Sequence, residues 1–242
     1  MMPRWFLRVV GATLITLCLA GCGRSSAESY RYKLTLAVNT PDGVKRASGV
    51  VEVTFWAVSI PASGIMHKLN GEALYLDLGA GRRPLIALLT SQLQPKYGKD
   101  VRWSRDAGPA INLLTESYGP VLPDLLGGVA RISGVRGIRK IVPNDLPDLV
   151  TFADVNNPAT VIEVDRNDLQ ATFGAGVSWD EITLESTDEP ITTGIVRKLA
   201  WIPAYFEKNL RLDGTNHHFR RELANTLDWS DFDQYGDLKR SN

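Results

Sequence analysis

Polar and apolar positions alternate along residues 30–39. Tyr30, Tyr32, Leu34, Leu36 and Val38 fall on one side, and Arg31, Lys33, Thr35 and Asn39 on the other. A period of two predicts a strand with one buried face. Residues 50–58 repeat the pattern, with Val51, Val53 and Phe55 opposite Glu52, Thr54 and Trp56. Pro41-Asp42-Gly43 is a turn signal, so the two segments predict an antiparallel hairpin with a long connection. In 72–78, Leu74, Leu76 and Leu78 share a face. Beyond the Gly79-Ala80-Gly81 turn, 84–89 is continuously apolar. These predict a third and a fourth strand.

Residues 149–152 and 160–164 predict short strands. Residues 179–186 predict another, with Ile182 and Leu184 opposite Glu181, Thr183 and Glu185. Helix signals are fewer. Pro109 opens a stretch in which Ile111, Leu114 and Tyr118 recur at helical spacing. Asp165 is an N-cap candidate, Asp168 sits three residues on, Leu169 and Phe173 stack at i,i+4, and Gly174 is the stop. Asp213-Gly214 is a hairpin-type turn, and Phe219, Leu223 and Leu227 suit a short helix. Residues 195–202 are apolar without a clear period.

The expected fold is therefore α+β and β-rich: mainly antiparallel sheet with a few short helices, over residues 30–227. Gly and Pro mark 119–135 as the place for any break between subdomains. The segment 228–242 reads as a loose acidic tail.

The first 22 residues follow a different logic. Arg4 and Arg8 precede an uncharged run of 12 residues, 9–20, which ends in Leu19-Ala20-Gly21-Cys22. A membrane-spanning helix needs about 20 apolar residues, so the run predicts a signal-peptide core rather than a span. The final quartet resembles the lipobox of bacterial lipoproteins. Small residues let the extended backbone enter a peptidase, and the thiol can take a diacylglycerol as a thioether.

The resemblance implies that 1–21 is a lipoprotein signal peptide, that cleavage follows Gly21, and that Cys22 is lipidated and N-acylated. Residues 22–29 become an acylated cysteine on a short polar tether. Membrane contact through these acyl chains follows, since two or more chains anchor stably. Gly23, rather than Asp, follows the cysteine, which in such lipoproteins implies the periplasmic face of the outer membrane.

This changes the composition. The chain has 242 residues, with 27 basic against 27 acidic. Loss of the leader removes Arg4, Arg8 and Cys18, leaving 221 residues, a net charge of −2 and Cys22 as the one cysteine. No thiol is left for catalysis or zinc. A neutral to slightly acidic chain gives no footprint for nucleic acid.

The blocks Tyr30-Arg-Tyr-Lys-Leu-Thr-Leu36, Thr40-Pro-Asp-Gly43, Gly71-Glu-Ala73 with Asp77-Leu-Gly79, and Asp165-Arg-Asn-Asp-Leu-Gln-Ala-Thr-Phe-Gly174 carry a second resemblance. With Ile182-Thr-Leu-Glu185 and Thr192-Thr-Gly-Ile195, they are similar to an uncharacterised family of bacterial lipoprotein-like proteins. The likeness spans much of 30–202. It implies a coherent domain and supplies no site.

Catalytic patterns are sparse. There is no G-x-S-x-G, no S-x-x-K, no H-E-x-x-H and no phosphate loop. The histidines are His67, His217 and His218. A hydrolase would have to use His217 or His218 with Asp213 or a distant carboxylate. Asp231-Phe-Asp233-Gln-Tyr-Gly236 superficially resembles a calcium loop but lacks its bidentate carboxylate. Glu181, Glu185, Asp188 and Glu189 read as solvated exterior rather than a paired-acid site. Arg131, Arg136, Arg139 and Lys140 form a basic cluster suited to anionic headgroups or an envelope polyanion. The expectation is a lipid-anchored envelope protein, non-catalytic and binding or structural, without cofactor or metal; the alternative is an envelope hydrolase.

Overall fold

A computed structural model describes residues 27–58, 64–79, 81–90, 125–217 and 222–234. Cys22, the expected 109–118 helix and His218 lie outside the described residues.

The long alternating segments pair as expected. β1 (Ala27–Thr40) and β2 (Gly43–Val58) run antiparallel, from Ala27 opposite Trp56 to Thr40 opposite Gly43. The connection is a tight turn through Pro41 and Asp42, not the long one expected. Gly43 takes φ +100°, open to glycine without the steric cost of a side chain. The Thr40 hydroxyl donates to the Gly43 carbonyl at 2.7 Å and accepts from the Asp42 N–H at 3.2 Å. Residues 43–49, polar and Gly-containing, continue the strand because β1 offers paired backbone groups along its whole length. β1 also starts at Ala27, so three residues expected in the tether are strand.

β3 (Gly64–Asn70) pairs with β2; this segment carries no strand expectation from sequence. Next come β4 (Leu74–Leu76), β5 (Leu85–Ala87), the two-residue β6 (Arg139–Lys140), β7 (Leu149–Phe152), β8 (Val161–Glu163) and β9 (Ser178–Ser186). One sheet has the order β3-β2-β1-β9-β6, the other β4-β5-β7-β8, and all pairs are antiparallel. Among the described residues four short helices accompany them: α1 (Leu125–Gly134), α2 (Leu169–Phe173), α3 (Ile202–Glu207) and α4 (Leu223–Thr226). The fold is α+β, β-rich and antiparallel.

Two apolar clusters explain the layering. In the first, Leu34, Leu36, Val51 and Val53 of the large sheet meet Leu74, Leu76, Leu85, Ala87 and Leu149 of the small one. Val129 of α1 joins them, so part of the expected break region packs on this core. In the second, Ile86, Leu88, Val150 and Phe152 face Ile195, Leu199, Trp201, Ile202, Leu212, Leu227 and Phe232. The run 84–89 is continuously apolar because alternate residues enter opposite clusters: Leu85, Ala87 and Leu89 one, Ile86 and Leu88 the other.

Two local expectations need correction. The N-cap of α2 is Asp168, which accepts from the Ala171 N–H at 3.1 Å. Asp165 instead accepts from the Asn167 N–H at 2.8 Å, a turn earlier. Residues 228–234 are not loose. Asp228 caps the 3-10 helix Trp229–Asp231, and Phe232 is fully buried. The Ala73 N–H donates to the Phe232 carbonyl at 2.7 Å, and the Gln234 N–H to that of Gly71 at 2.9 Å. Acidic composition hid an edge segment whose carboxylates serve caps and buried hydrogen bonds.

Candidate functional site

After β9 the chain crosses the outer face of the large sheet. Lys33 Nζ lies 2.6 Å from Glu189 Oε1, and Arg31 Nη1 donates to the Glu189 carbonyl at 3.3 Å. Thr192 then meets the far side of β2. Its N–H donates to the Val50 carbonyl at 3.1 Å, and its hydroxyl accepts from the Val50 N–H at 2.9 Å. This strap buries Val50, which points away from the inner core.

Where the strap reaches the small sheet it closes a cleft of about 210 Å³. Ser48 and Gly49 of β2, Glu72 to Tyr75, Thr192 to Ile195, Arg197 and Lys198 line it. Glu72 is its hinge. Its carboxylate accepts from the Ile195 N–H at 2.7 Å and also from Gly194. Burial pushes this carboxyl above its ordinary value despite those bonds, and Asp233 nearby adds to the rise. Gly194 takes φ +123° and opens the 3-10 helix Ile195–Arg197. A Cβ at this glycine would run into the Arg197 guanidinium. On the rim, Lys198 Nζ stands 5.7 Å from the Tyr75 ring centroid, within cation–π range.

The chemistry available is that of a small, largely apolar cleft edged by a few charged side chains. The volume falls below the roughly 300 Å³ of an ordinary ligand pocket. The carboxylate is committed to backbone N–H groups, and the exposed Arg197 and Lys198 supply positive charge. The lining contains no histidine or cysteine.

The sequence candidates go elsewhere. His67 is half-buried on β3 opposite Phe55, with ring centroids 6.0 Å apart. His217 is exposed, and its carbonyl accepts from Asn225 Nδ2 at 3.0 Å. Asp213 accepts from the Thr215 N–H at 2.9 Å, the Thr215 hydroxyl at 2.7 Å and Asn225 Nδ2 at 2.8 Å. Its carboxylate thus shapes the turn. Asp231 is wholly buried and accepts from the Thr90 hydroxyl at 2.7 Å and the Asp228 N–H at 2.8 Å. Asp231 and Asp233 thus sit buried in a packed element, Tyr235 and Gly236 lie outside the described residues, and no group of metal-ligating side chains occurs among the described ones.

The exterior carboxylates meet the basic cluster. Lys140 pairs with Glu181 at 3.0 Å and Arg136 with Asp188. Lys140, then Arg46, holds the Glu181 carboxyl below its ordinary value. Glu185 lies 3.7 Å from Lys33. The cluster is thus partly matched by negative charge. Glu72, Arg197 and Lys198 carry no sequence signal: three distant segments build the cleft, and no spacing announces them.

No family model matches the chain, and neither a curated protein nor a solved structure matches it.

Proposed function

We propose that this chain is a lipid-anchored protein of the bacterial envelope, held by acyl chains on Cys22 at the periplasmic face of the outer membrane. Its domain binds a partner protein or envelope component without catalysing a reaction. The carrying observation is the order of Arg4 and Arg8, the uncharged run 9–20, and Leu19-Ala20-Gly21-Cys22. No helix among the described residues is long and apolar enough to cross a membrane. What supports the non-catalytic part is that neither His67 nor His217 lines the cleft, while the Asp213 carboxylate is held by Thr215 and Asn225.

Replacing Cys22 by Ser tests the anchor. The variant is released from membranes or stalls as the full-length precursor. Normal membrane partition with a normal mature mass would remove the proposal. Crosslinking of the lipidated protein in its native envelope then identifies the partner. Neutralising Arg131, Arg136, Arg139 and Lys140 reduces association if that partner is polyanionic.

A further inference from the structure

We propose that the Ala27 end of the large sheet docks on the bilayer surface, with Trp56 and Met66 among the lipid headgroups and Lys68 against their phosphates. This rests on the lipid-anchor reading above. Strand register places the residues together. Ala27 lies opposite Trp56, and Trp56 opposite Met66. One row inward, Ser29 lies opposite Thr54, and Thr54 opposite Lys68. Directly opposed residues of paired strands share a face. This is the outer one, because Tyr30, Val53, Phe55 and Leu69 turn into the core.

The outer face changes character along its length. A further row inward it carries the Arg31–Glu52 ion pair at 2.9 Å. At the Ala27 end it carries Met66, 50% exposed, beside a half-buried Trp56, with Ala27 and Lys68 exposed. Glu28, the nearest carboxylate on β1, belongs to the opposite face.

Chain length selects the occupant. Only residues 23–26 separate Cys22 from Ala27, so the start of β1 is held within about 18 Å of the acylated cysteine. Each interfacial layer of a bilayer is about 5–7 Å deep. β1 itself extends roughly 43 Å, so only one end of the hairpin is confined to this zone. That end bears a tryptophan, a residue favoured at membrane interfaces, and a lysine that anionic headgroups attract.

The test uses the mature, lipidated protein in vesicles of phosphatidylethanolamine and phosphatidylglycerol, with and without brominated acyl chains. Flotation reads the anchor, and tryptophan quenching reads the dock. Bromolipid quenches the wild type, and Trp56→Phe removes most of that loss. A second measurement does not touch the tryptophan. Met66→Cys and Val44→Cys each give a mature chain with one unblocked thiol, at sites 50% and 52% exposed in the parent. Val44 lies at the other end of the hairpin, opposite Asn39. In vesicles, a membrane-impermeant maleimide labels position 66 about tenfold more slowly than position 44, as burial among headgroups requires. Flotation with no quenching and equal labelling overturns the dock and leaves the anchor standing. Slow labelling at position 66 without quenching also overturns it, and assigns the face to a second protein copy. Failure to float overturns both.

Discussion

In the large sheet, β1 sends Tyr30, Tyr32, Leu34 and Leu36 inward while Arg31, Lys33 and Thr35 stay at the outer surface. In the small sheet, β7 buries all four of its residues, from Leu149 to Phe152. The first strand has one covered face and the second has two. The difference teaches what each hydrophobic pattern carries. Alternation specifies both a strand and the face that is buried. A short apolar run specifies only that both faces are covered. The covering layer of the small sheet comes from residues 195–232, a stretch with little periodicity of its own.

The comparison breaks most readily at Phe152. Its ring lies 6.0 Å from Trp201 and 5.9 Å from Phe232, centroid to centroid. Phe152→Ala removes that junction and destabilises the domain by about 3–5 kcal/mol. Thr35→Ala deletes a hydroxyl that sits 2.8 Å from that of Ser48 on the exposed face, and costs at most about 1 kcal/mol. Urea unfolding of the two variants checks the contrast. Equal losses would mean that the C-terminal layer is not part of the cooperative core.

An effect between these two is expected where the strap joins the two sheets. Gly194→Ala puts a side chain on a backbone at φ +123°, at a cost of about 1–3 kcal/mol. The clashing group is the tip of a flexible arginine. The double variant Gly194→Ala with Arg197→Ala therefore recovers little of the loss if the backbone is its source. Full recovery in denaturant titration would assign the cost to the collision instead.

These junctions mark the limit of what could be read from sequence. β1, β2 and β9 were legible because one side of each faces water and charge. β5 and β7 were legible as strands, but their partners were not. β3 escaped because an edge strand buries few side chains: Leu69 enters the core, while Met66 and Lys68 are exposed. The segment 228–234 escaped because its aspartates look solvated. Asp228 and Asp231 form reciprocal cap bonds, and only the aromatic Trp229 and Phe232 show the burial in their chemistry. The cleft escaped for a different reason. Glu72 acts through backbone N–H groups 122 and 123 residues further on, and any carboxylate in that place would look the same in sequence.

The finest contrast is between two glutamates with opposite shifts. Glu72, in the seam between the sheets, has its carboxyl raised above 4.5, chiefly by burial. Glu181, on the outer face, has its carboxyl lowered below 4.5, chiefly by Lys140. Stability rises with pH wherever the unfolded chain binds more protons than the folded one. For Glu72 the folded chain holds the proton longer, so its contribution declines as pH rises from 4.5 through the raised value. For Glu181 the unfolded chain holds the proton longer, so its contribution is present above 4.5 and is lost as pH falls through the lowered value. Glu72→Gln therefore removes a downward slope above 4.5, and Glu181→Gln removes an upward slope below it. Added salt should flatten the Glu181 effect and largely spare that of Glu72, since screening acts on exposed pairs and little on desolvation. Unfolding free energies measured across this range, at low and high salt, decide it. Slopes of the same sign would show that seam and surface do not differ electrostatically.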